Sequence, residues 1–332
     1  MSRSHFFLGA CASALAACFA PNSGDAEPQP APGGDAPALA PSAAANAPSG
    51  PAFRVERPEA PAADSARIVF AAKMGASLDL FTVLPDGSDV RQLTDTPDED
   101  EMFPHWSPDH ARIAYVSGAK LFVMDPDGTT RAIATEVGRD GYGVSAPAWS
   151  PDGASLLYPH ARDAKQGGAT LLHRVSADGA SDATFTADMT SVGATLTEPT
   201  WFGDSITFLR TSECGHCAGG ASIVTVDDAG SQRAALDLEG HGLDVAPDGR
   251  WAFTTPATPT ASGYEYPGTI FVALPGGALA KSITANDAWM PRWSPSGGHI
   301  AFLRADGIYV ATSKGEDATR IFTKSGVRGF DW

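Results

Sequence analysis

Four cysteines and eight histidines hold most of the reactive side chains of this 332-residue chain. Cys214 and Cys217 stand together in the run Glu-Cys-Gly-His-Cys-Ala. Two thiols at this spacing can close a small disulfide, cycle between thiol and disulfide, or offer two sulfurs to a metal. The chain begins with an export signal, and in an oxidising compartment neighbouring thiols pair, so a Cys214–Cys217 disulfide is expected. Redox turnover would need a thiolate at a helix N-terminus, and this run falls between two strand-like segments. Zinc would need four ligands, and only His216 and the distant His160 could join the sulfurs. Ala218 stands where haem attachment needs a histidine. No Gly-x-Ser-x-Gly, His-Glu-x-x-His or phosphate-loop motif is present, and the histidines are scattered.

The elements that position these residues come from a repeat. His-Trp-Ser-Pro-Asp-His begins at His105, Ala-Trp-Ser-Pro-Asp-Gly at Ala148 and Arg-Trp-Ser-Pro-Ser-Gly at Arg292, with worn copies at Thr200 and Asp244. The anchors are Trp106, Trp149, Trp201, Val245, Trp293 and Trp332, spaced roughly 40–50 residues apart, one propeller blade each. In each copy a short strand ends at the anchor. A Ser-Pro-Asp-Gly turn follows, with proline presetting φ and glycine accepting positive φ. An alternating strand, a third strand ending in another Asp/Gly turn, and a short fourth strand complete the unit.

Residues 66–94 supply strands two to four of a unit that has no anchor strand before it. Gly329–Trp332 is an anchor strand with nothing after it. Joined, they make one blade, so the C-terminal strand closes a ring and removes a free sheet edge. The expected fold is all-β, a six-bladed propeller of four-stranded antiparallel blades over residues 65–332.

This grammar resembles the TolB-type, WD40-like propeller repeat over about residues 66–332. TolB also carries an α/β domain ahead of its propeller. Here residues 18–64 are a Pro/Ala-rich tether, so a Tol-Pal role is not carried over. The expected function is that of a protein- or peptide-binding scaffold without catalysis. The alternative is a metal-dependent, lyase-like enzyme or a small polar ligand binder at the channel mouth, for which His105 and His241 are the candidate ligands.

In a propeller the Ser-Pro-Asp-Gly and second Asp-Gly turns fall on one face. The opposite face carries the connections between strands two and three and between blades. The longest of these lie in blades three, four and five, at residues 160–170, 210–220 and 254–268. Long connections on a rigid scaffold are where binding sits. Channel-mouth candidates are His105, Glu198, His241, Asp244, Asp287, Arg292, Arg328 and Asp331. The mixed charge could hold a peptide end, a small polar ligand or a divalent cation; no cofactor is required. Asp98, Glu99, Asp100 and Glu101 read as a solvated run without EF-hand spacing.

At the other end, Arg3 precedes an apolar stretch, Phe6 to Ala17, too short to span a bilayer. It ends Leu-Ala-Ala-Cys, which resembles a bacterial lipobox. Residues 1–17 are the expected lipoprotein signal peptide and Cys18 the lipid-bearing residue. Residues 18–64 cannot bury enough apolar area to fold. The net charge of −16 opposes nucleic-acid binding and docking on anionic lipid. The expected product is a monomeric propeller, membrane-bound through its lipid alone, in the bacterial envelope with an envelope protein or peptide as partner.

Overall fold

The strand Ile68–Lys73 reads Ile-Val-Phe-Ala-Ala-Lys, and every residue but Lys73 is buried. Ile68, Phe70 and Ala72 pack with Leu303 and Ile308, while Val69 and Ala71 pack with Ile113 and Tyr115. Successive side chains leave a strand on opposite faces. A strand clasped between two sheets therefore buries both sets, and its apolar run is continuous rather than alternating.

The computed structural model describes residues 65–137, 139–140, 143–144, 146–161, 170–185, 194–212, 222–237, 240–256, 259–260, 263–264, 268–275, 278, 280–285 and 287–332. Cys18, the expected signal peptide and tether, Cys214 and Cys217 lie outside the described residues. So does most of the three long connections.

Six four-stranded antiparallel sheets form the blades, and six apolar clusters join them in rotation. The cluster around Trp149 and Leu156 joins blades two and three, and the one around Leu196 and Phe208 joins three and four. The cluster holding Phe70, Phe330 and Trp332 joins blade six to blade one.

Blade one is assembled from both ends of the chain. Phe330–Asp331 pairs antiparallel with Ile68–Lys73, in the register Val69↔Asp331 and Phe70↔Phe330. The Ala71 N–H donates to the Gly329 carbonyl at 3.0 Å, and the Arg328 N–H to the Ala71 carbonyl at 2.9 Å. The Trp332 indole N–H donates to the Ala66 carbonyl at 2.9 Å. Trp332 is 5% exposed, so the terminal aromatic is core.

The repeat also fixes how neighbouring blades meet. The Arg112 guanidinium lies 4.7 Å from the Trp149 ring centroid and donates to the Gly153 carbonyl at 2.7 Å. Arg250 does the same between blades five and six, 4.5 Å from Trp293 and 2.6 Å from the Gly297 carbonyl. Each arginine thus covers the next blade's anchor and ties down its tight turn. A stacked cation of this kind contributes about 0.5–2 kcal/mol. The fourth turn residue has positive φ in each case: 51° at His110, 66° at Gly153, 84° at Gly249 and 69° at Gly297.

Candidate functional site

Five inner strands share an irregularity three residues before the anchor. Phe103 (φ 53°), Glu198 (53°), Gly242 (65°), Met290 (56°) and Gly329 (89°) all have positive φ. The four pairings of Glu101–Trp106, Ala194–Phe202, His241–Val245 and Trp289–Trp293 with their partners slip register at this place. A bulge bends its strand and redirects the side chains that follow. For Phe103, Glu198 and Met290 the conformation costs on the order of 1 kcal/mol or more. Consecutive bulges touch. A Cβ on Gly329 would come within 2.7 Å of the Phe103 Cα, and one on Gly242 within 3.1 Å of the Met290 Cα.

The residue redirected by this bend is the one just before the anchor. Around the ring these residues are Asp331, His105, Ala148, Thr200, Asp244 and Arg292. Asp244, Arg292, Asp331 and His105 come from consecutive blades and form a charged arc; Ala148 and Thr200 leave the rest of the ring uncharged.

Within the arc, one Asp331 carboxylate oxygen (Oδ2) lies 3.3 Å from His105 Nδ1 and accepts the Trp106 N–H at 2.9 Å. Its other oxygen (Oδ1) lies 3.9 Å from Arg292 Nε. Asp244 repeats the backbone contact one blade before Arg292's anchor, accepting the Trp293 N–H at 2.7 Å. Arg292 donates to the Pro291 carbonyl at 2.8 Å. Its Nε and the Nδ1 of His105 are buried with no hydrogen-bond partner among the described residues.

Burial sets the protonation of this arc. It pushes the Asp331 carboxyl up to about 6 against the opposing pull of Arg292. It raises Asp244 for the same reason. His105 is pushed down to about 4, first by burial and then by the Arg292 charge. At neutral pH His105 is therefore neutral, and one guanidinium faces two buried carboxyl groups whose pKa values are raised.

The other sequence candidates sit elsewhere. Glu198 accepts the Gly242 N–H at 2.6 Å, bracing the next blade's bulge, and lies 4.0 Å from His241 Nδ1. Asp287 pairs with Arg304 at 3.0 Å. Arg328 is exposed, and its carbonyl accepts the Phe103 N–H at 3.0 Å. His105 contacts the arc and His241 contacts Glu198. Among the described residues, no group of three or more His, Cys, Asp or Glu side chains is placed to hold a metal ion.

The acidic run divides. Asp98, Glu99 and Asp100 are exposed, as a solvated run would be. Glu101 is buried at 2% exposure and accepts hydrogen bonds from Thr94 and Thr96; burial raises its pKa. A stacked pair, His160 and His173 at 4.0 Å, was not legible in the sequence. The two lie on adjacent strands, Ser155–Ala161 and Thr170–Ser176, whose register no spacing rule supplied.

No family model matches the chain. A segment of 59 residues is 41% identical to the uncharacterized peptidase YuxL of Bacillus subtilis, covering 16% of this chain and 8% of that protein. Solved structures match far more of it. TolB from Acinetobacter baumannii superposes with a TM-score of 0.62 at 19% identity, over 82% of this chain and 67% of that one. A TolB from Agrobacterium tumefaciens gives 0.59 at 19% identity, over 79% and 90%. The fold is a TolB-like six-bladed propeller. The same architecture recurs in an oligogalacturonate lyase solved with manganese, with a TM-score of 0.52, 15% identity and coverage of 79% and 75%. The TolB-like ring is thus a frame on which several activities are built, and its own arc must decide its chemistry.

Proposed function

We propose that this TolB-like propeller is a non-catalytic protein- or peptide-binding scaffold, exported and held in the bacterial envelope by a lipid on Cys18. The observation that carries the binding reading is the pre-set, under-satisfied charged arc. Arg292 and His105 present buried nitrogens without partners beside two carboxylates that are short of cations. A site held this way is organised before its ligand arrives, which reduces the ordering cost of binding. The long connections of blades three to five, expected from the blade pattern to share one face, would supply the broader contact. The Leu-Ala-Ala-Cys motif and the Pro/Ala-rich tether support the anchor, and a Cys214–Cys217 disulfide would pin one of the long connections.

In-cell crosslinking tests the scaffold reading. Photoreactive residues placed singly within 160–170 and 254–268 should capture a discrete envelope protein. Probes in the short turns at Asp152 and Asp248 should not. Crosslinks concentrated on the short turns would assign the binding surface to the wrong side of the disc.

A further inference from the structure

We propose that the arc of Asp244, Arg292, Asp331 and His105 is a receptor for the free amino terminus of a peptide. This rests on the scaffold reading and names the group held at the ring.

The arc has spare capacity of a particular kind. Each aspartate spends Oδ2 on the next blade's backbone, on Trp293 for Asp244 and on Trp106 for Asp331. The Asp331 Oδ1 stands 3.9 Å from Arg292 Nε, beyond hydrogen-bond reach. Between the carboxylates sits a guanidinium, 9% exposed, whose Nε is unpartnered. The arc therefore sets carboxyl oxygens on either side of an unpartnered donor.

A peptide amino terminus matches this order. Its ammonium donates three hydrogen bonds and brings a positive charge to the carboxyl groups, and its first carbonyl, two bonds away, accepts from arginine. A lysine ammonium brings the charge without the adjacent acceptor. A carboxylate would meet Arg292 but face two aspartates. A divalent cation would be opposed by the guanidinium. Ala148 and Thr200 leave an uncharged side of the ring for the remainder of the peptide, and the overall charge of −16 attracts a cationic end over distance. Burial has already raised both aspartates, Asp331 to about 6, so an arriving ammonium lowers their pKa values and Asp331 releases a proton near pH 6.

The test is calorimetry on the full chain with three probes: Ala-Gly-Gly amide, its N-acetyl form, and N-acetyl-lysine methylamide. The free tripeptide is expected to bind and, at pH 6, to release protons, giving heats that depend on the buffer. Acetylation, Asp244→Asn or Asp331→Asn should each weaken binding about tenfold or more. Asparagine keeps the acceptor for the tryptophan N–H, and a cooperative melt with a native circular-dichroism spectrum certifies the folded variants. Equal binding of the acetylated peptide, equal binding of the lysine derivative, or no saturable binding up to about 5 mM would each overturn the proposal. Envelope crosslinks on the long-loop face alongside a failed titration would leave the scaffold reading standing and remove only the amino-terminus receptor.

Discussion

Deleting Gly329–Trp332 is expected to lower the melting temperature by about 10 °C or more and to make the chain self-associate. Trp332 is buried between blades six and one, and its loss alone should cost about 3–5 kcal/mol. At this chain size each kcal/mol corresponds to about 2–4 °C. The deletion also strips the Ile68–Lys73 strand of its inner partner, exposing an unpaired, apolar edge of the kind that recruits other chains. Asp331 leaves with it, freeing the Trp106 N–H. Thermal melting and size-exclusion chromatography of the deletion beside Trp332→Ala separate the two effects. The point variant should lose stability and stay monodisperse, whereas the deletion should lose both. An unchanged melt with a monodisperse profile would contradict ring closure.

Arg292→Met should destabilise the propeller by about 3 kcal/mol at pH 8, because two largely buried carboxylates then lose their shared cation. The pH dependence follows from the shifts. Asp331 has a folded pKa raised to about 6, above the unfolded value near 3.8, so its ionised form is a liability present above about pH 6 and relieved as the pH falls toward 4. His105 works the other way. Its folded pKa is depressed to about 4, so the stability it contributes is present above 6.5 and lost as the pH falls to 4. In the native arc these slopes oppose one another across the same window. Removing Arg292 raises the aspartates further and relieves His105, so the deficit should be greatest at pH 8 and shrink by pH 5. Arg292→Met combined with Asp331→Asn should recover part of it. A pH-independent deficit, or none, would mean that the guanidinium does not balance the arc.

Much of this fold could be read from residue types, because a propeller writes its period into its turns. The Trp-Ser-Pro-Asp-Gly copies fix where the tight turns fall, and each turn needs proline and a positive-φ residue at set places. The orphan strand at Trp332 predicted closure, and the observed register pairs it with residue 69 and residue 70. The alternation expected of strand two was different. Val69 and Ala71 face blade two while Phe70 faces blade six, so a strand buried on both faces loses its polar phase.

The site was legible only in part. His105, Asp244, Arg292 and Asp331 were candidates individually, yet their shared slot, one residue before the anchor, becomes significant only once the bulge at Phe103, Gly242, Met290 and Gly329 is known. Three of the five bulges have no glycine or asparagine to announce them: Phe103, Glu198 and Met290 take positive φ because adjoining blades hold them there. Asp287 and Arg328 belong to the same connections but are drawn to Arg304 and to the backbone of blade two. Glu101 looked like part of a solvated run, and only its contacts with Thr94 and Thr96 reveal it as a buried brace.

Ring closure by the final strand is tested most directly by amide hydrogen exchange at Ala71 and Phe103. Their N–H groups donate to the carbonyls of Gly329 and Arg328, respectively, at 3.0 Å. Both should be protected to within about tenfold of Ala301 in the middle of blade six, as members of one cooperative unit. Exchange as fast as that of Arg91 and Gln92, on an exposed outer strand, would show that the last residues do not fasten the ring.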